Sequence, residues 1–280
     1  MNNGFCRISD GDAVRLKAVG KRTSRVLYSI FRMAFLIAVG YIVIYPMLYM
    51  IVSSLQSKYA FLNSSRIWIP SDLSIKENYK TAVLCLDYTT SLLSTLKNEI
   101  IAGLIQVVSC AVAAYGFARF EFRGKRIKLA LLFLTIIVPD MMLLIPRMIN
   151  YSHLDFLGIL ALVNKITGVD LRPNILGSAV TFWLPALFGV GLKSGILIYI
   201  YIQFFKGLPR ELEEAAWVDG AGPIRTFCNI AVPSSSVVII TVFIFSVIWH
   251  WNDSTLSGMY LLGDYPLALQ VTRLEAALSA

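Results

Sequence analysis

Five apolar runs alternate with polar, charge-bearing segments along the 280 residues of this chain. They occupy residues 33–55, 98–118, 127–149, 179–205 and 234–249. A helix needs about 20 predominantly apolar residues to cross a bilayer, so the pattern predicts an all-α, polytopic transmembrane helical bundle with five spans. The second run is rich in small residues, among them Gly103, Ser109, Ala111, Ala113, Ala114 and Gly116, which let helices approach closely in lipid. Pro139 and Pro146 break the third, and the fourth holds Pro185, Gly189, Gly191 and Gly195. Residues 1–32 read as a tail and 33–280 as the membrane domain, with a polar loop at 206–234 between the last two spans.

Charge orients the bundle. The tail, the turn after the second span and the loop at 206–234 carry seven, five and three Lys or Arg, while the intervening segments carry five, two and one. By density that is roughly a threefold bias, and it places the tail in the cytoplasm. No cleavage site follows the first run, which reads as an uncleaved span. Composition agrees, with 57% hydrophobic residues, 15% charged and a mean hydropathy of +0.68. The net charge of +8 does not indicate nucleic acid, because the basic residues cluster beside apolar runs.

Within the loop, Glu211 to Val218 are good helix formers, Asp219-Gly220 is a helix stop, and Pro223 suits the first position of a second short helix. Glu214-Ala215-Ala216, Gly220, Ile230 and Pro233 lie at the spacing Glu-Ala-Ala, three residues, Gly, nine residues, Ile, one residue, Leu-Pro, with Val232 in place of Leu. This resembles the signature loop in the membrane subunits of binding-protein-dependent ABC importers. The resemblance implies a coupling helix seated on a separate ATPase subunit, with Glu214, Ala215, Ala216, Asp219, Gly220, Ile230 and Pro233 as its functional positions.

The likeness extends along nearly the full chain to carbohydrate-importer permeases of the maltose type. It covers the Ser-Leu-Gln exit from the first span, Asn78-Tyr79, Tyr115-Gly-Phe-Ala-Arg119, Phe204-Phe205-Lys-Gly-Leu-Pro209 and Trp251-Asn252. It implies a second permease subunit, ATP-binding subunits and an external solute-binding protein as partners, besides membrane lipid. Peptide and osmolyte importers share the signature and remain alternatives. The family has six spans, whereas residues 254–280 are too short and polar for a sixth. The sequence therefore reads as cut short within an external loop, and a truncated, non-transporting membrane subunit stays open as a further reading.

Two charges fall inside apolar runs, Asp140 in the third and Lys193 in the fourth. Ionisable groups at membrane depth face protein or a water-filled cavity, which makes both substrate-pathway candidates. The alternatives are an interfacial Asp140 beside a kink and a snorkelling Lys193. No phosphate-binding Gly-rich loop is present, since Gly20-Lys21 and Gly124-Lys125 are followed by Arg and lack the upstream Gly. ATP hydrolysis is thus assigned to a partner chain. The four scattered cysteines and two isolated histidines predict no metal site, no cofactor and no catalytic residue. An intramembrane enzyme using Asp140 and Lys193 lacks any accompanying nucleophile or metal motif.

Overall fold

The computed structural model describes residues 10–57, 60, 68, 72–155, 158–263 and 265–279. Cys6 and Arg7 of the tail, Ile69 and Pro70 of the first external segment, and Asp264 lie outside the described residues. The described chain is helical, with one isolated bridge between Gln56 and Leu73 and no strand. It divides into two compact units, Met1–Ala82 and Val83–Ala280.

In the first unit α1 (Asp10–Leu55) runs for 46 residues, about 69 Å at 1.5 Å per residue. It passes through residue 33 without a break, where the sequence divides tail from membrane domain. Its stretch Arg25–Leu55 is apolar all round and long enough to cross a membrane. The helix ends where Asn78, in α2 (Ile75–Cys85), donates its side-chain amide to the carbonyls of Ser54 at 2.9 Å and Gln56 at 2.7 Å. The last carbonyls of a helix have no partner within it, and Asn78 supplies one.

The second unit is built around α3 (Tyr88–Arg119), whose buried face is made of small and polar side chains, including Thr95, Ala102, Gln106, Cys110 and Ala114. The helices that follow are α4 (Lys125–Ile137), a short 3-10 turn (Asp140–Leu143), α5 (Leu144–Ser152), α6 (Ile159–Thr167), α7 (Val180–Leu187) and α8 (Ser194–Gly207). Beyond them come α9 (Glu211–Val218), α10 (Pro223–Thr226), a π turn (Phe227–Ala231), α11 (Val232–Ser234), α12 (Ser236–Trp251), α13 (Thr255–Tyr260) and α14 (Leu267–Ser279). Helices α7, α8, α12 and α14 pack on α3. Cys110, Ala114, Leu197, Tyr201, Phe205 and Val242 form the centre of the core.

Not every expected span is one straight helix. Among the described residues two helices are long and apolar enough to cross a membrane, and two bent pairs would each add a span. Residues 125–137 and 140–152 meet at 99°, because Pro139 has no amide to continue the ladder. The fourth run is interrupted at 188–193, with Gly189 at φ +69° and Lys193 at φ +53°. Lys193 therefore sits in the break that starts α8, not midway along a continuous helix as the sequence suggests. The tail beyond residue 254 folds into α13 and α14, and the 13 residues of α14 are fewer than the roughly 20 a span needs.

Candidate functional site

The polar loop folds as the helix, turn and helix that its residue types dictate. Glu211, Glu213 and Glu214 occupy the first turn of α9, where negative charge complements the helix dipole. At the other end Gly220 adopts φ +77°. Its amide donates to the Trp217 carbonyl at 3.0 Å, and that of Ala221 to the Ala216 carbonyl at 2.8 Å. This pair of bonds is the Schellman closure, which needs a left-handed residue, nearly always Gly, four positions after the first capped carbonyl. The spacing from Ala216 to Gly220 is thus a geometric requirement. Pro223 then opens α10 at its N-terminus, and the chain continues through the π turn to α11 and α12, which are bent by 80° at Ser235. Pro233 lies in α11 at that bend, and Ile230 within the π turn.

One face of this loop is open. Glu214, Ala215, Asp219 and Gly220 are exposed and Ala216 is half-buried, while Val218 is 88% and Ile224 81% exposed. The opposite side is fastened to the membrane helices. Glu213 Oε1 lies 2.9 Å from Arg119 Nε, with side chains 2% and 4% exposed, and Arg119 Nη2 donates to the Leu208 carbonyl at 2.8 Å. One turn back along α3, the Tyr115 ring packs against Phe205 at 5.6 Å and Phe227 at 5.0 Å.

A second feature lies where two helices are broken. A cavity of about 480 Å³ is lined by residues of the 138–139 and 188–193 breaks, by the 3-10 turn that holds Asp140, by α4, by the start of α8 and by Arg147 of α5. Both charges singled out in the sequence, Asp140 and Lys193, line it. Asp140 Oδ1 lies 3.7 Å from Arg147 Nη1, and the Lys193 ammonium stands 5.3 Å from the centre of the Trp249 ring. Irregular backbone is tolerated at membrane depth only where protein buries it or water reaches it. Here Gln106 of α3 supports the break, donating Nε2 to the Leu192 carbonyl and to Ser194 Oγ, both at 2.7 Å. Ser246 Oγ of α12 donates to Gln106 Oε1 at 2.5 Å.

The family described as binding-protein-dependent transport system inner membrane component matches residues 107–277, including the whole exposed loop and both breaks. The chain belongs to this family. Among its relatives, the trehalose transport system permease protein SugB of Mycobacterium tuberculosis is 30% identical over 213 residues, which span 76% of this chain and 65% of SugB. The alignment thus covers just under two thirds of SugB's own length. The osmoprotective compounds uptake permease protein GgtD of Synechocystis is 27% identical over 247 residues, covering 85% of this chain and 76% of that one. In fold, the chain resembles a solved bacterial ABC transporter involved in import of the acidic polysaccharide alginate. The TM-score is 0.67 at 17% identity, over 91% of this chain and 82% of that one.

As an inner membrane component, the chain presents the signature Glu214-Ala215-Ala216 and Gly220 on an outward face. The adjacent Glu213 is turned inward, although in the sequence it is only one of a run of good helix formers. The signal for its role lay in α3, where Arg119 follows Tyr115 by four residues on the face that also holds Ala111 and Ala118. A guanidinium on a buried face requires an anion. Arg147 and Gln106 were likewise missed, because neither forms a local motif.

Proposed function

We propose that this chain is a permease subunit of an ATP-driven importer and forms part of the translocation path for a carbohydrate. It pairs with a second permease subunit and two ATP-binding subunits and receives solute from an external binding protein. The observation that carries this reading is the signature loop, closed by Gly220 and offered on an exposed face in a chain of the importer family. Residues 206–234 are the ATPase-coupling loop, with Glu214, Ala215, Ala216, Asp219 and Gly220 at the contact and Ile230 and Pro233 setting the return into the membrane. The tail at 1–32 is cytoplasmic, as the basic bias directs, and 33–280 is the membrane domain of a bacterial or archaeal plasma membrane protein. Asp140 and Lys193 line the solute path.

SugB's trehalose designation supports the carbohydrate assignment, and GgtD supports a second reading in which the solute is an osmoprotectant. Uptake by vesicles holding the assembled transporter, presented with labelled disaccharides, osmoprotectants and peptides, separates these. ATP-dependent uptake of a disaccharide is the expected result. Uptake of osmolyte alone or peptide alone refutes the carbohydrate reading, and uptake of none refutes the transporter.

A further inference from the structure

We propose that the buried Arg119–Glu213 ion pair is a positioning joint, fixing α9 to the C-terminal end of α3 so that movement of the loop is delivered to the helices packed on α3. The inference rests on the coupling reading above. Glu213 is the one buried residue of α9, while Leu212, Trp217 and Val218 are 47%, 48% and 88% exposed. No apolar side chain of this eight-residue helix is fully buried, so the charge pair is its one fully buried anchor.

The pair suits a rigid joint. Arg119 Nε stands 2.9 Å from Glu213 Oε1 as a charge contact outside hydrogen-bond alignment, while Nη2 donates to the Leu208 carbonyl, so one planar guanidinium touches both the exit of α8 and the start of α9. A Lys ammonium on a flexible stem does not reproduce that fork. A buried ion pair is a poor source of net stability, since apolar side chains of similar volume hold a site as well or better. What the pair adds is a fixed direction between two elements. Along its length α3 is packed against α7, α8, α12 and α14, which includes the helix that begins at the Lys193 break and the helix that carries Trp249. A displacement of α9 is therefore imposed on the elements around the cavity.

The test uses the assembled transporter in vesicles. Glu213→Gln and Arg119→Lys are expected to insert and to retain the ATPase subunits, while solute-stimulated hydrolysis and uptake fall at least tenfold. The exchanged pair Arg119→Glu with Glu213→Arg should regain part of both. Wild-type stimulation in Glu213→Gln overturns the joint, as does an exchanged pair no better than the two single losses combined. A measurement on the unaltered pair covers variants that fail to fold. Spin labels at Val112 and Val218, with Cys6, Cys85 and Cys228 replaced, should keep one separation through the nucleotide cycle, and a changing separation overturns the joint. Gly220→Val distinguishes the two readings. If it uncouples while the pair variants remain coupled, the joint alone is wrong. If all of them remain coupled, the coupling loop itself is wrong.

Discussion

The amide of Ala221 donates to the carbonyl of Ala216 at 2.8 Å, closing α9 across Gly220. The closure holds only while residue 220 keeps φ at +77°. A β-branched residue there costs about 1–2 kcal/mol, enough to displace a short exposed helix and too little to unfold the membrane helices. Gly220→Val is expected to insert normally and to give ATP hydrolysis that no longer responds to the loaded binding protein. Hydrolysis assays with and without that protein and its solute check this, and a wild-type response refutes it.

Lys193 combines a positive φ with a charge on the cavity wall. A non-Gly residue in the left-handed region carries strain of order 1–3 kcal/mol and is found at functional sites. Lys193→Gly relieves the strain while removing the ammonium, and Lys193→Leu removes the ammonium alone. Both are expected to insert and to alter the solute dependence of uptake, with Lys193→Gly the more stable of the two. Unchanged solute dependence in both removes Lys193 from the path.

Gln106 joins α3 to the break before α8 and to α12. Gln106→Leu leaves the Leu192 carbonyl and two serine hydroxyls without this partner. In water such groups cost about 1–3 kcal/mol each, but interhelical hydrogen bonds in membrane proteins average only about 0.6 kcal/mol. The membrane figure governs here, and a loss of about 1–2 kcal/mol is expected, read by denaturant titration in detergent. No loss would show that the break is held without Gln106.

Gly195 marks a close approach of α8 to α4. A Cβ there would stand 2.6 Å from Thr135 Oγ1 and 2.9 Å from Ile136 Cγ1. Overpacking of this kind costs about 1–3 kcal/mol. Gly195→Ala is expected to destabilise by that amount and Thr135→Ala to recover part of it, because among the described residues the Thr135 hydroxyl bonds within its own helix, to the Leu132 carbonyl at 2.7 Å. Thermal unfolding of the single and double variants checks both statements.

Topology follows from the basic bias. Reporters inserted at Gly124 and Gly222 should read as cytoplasmic and one at Asp170 as external. Asp170 is an exposed residue of the segment between α6 and α7, which the bias places outside. A cytoplasmic reading at Asp170 refutes the orientation.

The sequence by itself determined the helical class, the positions of the apolar runs and the signature loop, because these depend on local periodicity, on proline and glycine stereochemistry and on the length of a span. The turn at Asp219-Gly220 and the start of a helix at Pro223 are of this kind. Tertiary structure decided which charges meet. Arg119 and Glu213 are joined across the intervening α4 to α8, and Asp140 and Lys193 share a cavity only because the third run is broken at 138–139, where the sequence has Pro139, and the fourth is broken at 188–193. Gly189, Gly191 and Pro185 permit a break in the fourth run, but the bonds that hold it there come from Gln106 on α3. The partner of a buried polar group is set by packing between distant segments, which no local pattern records.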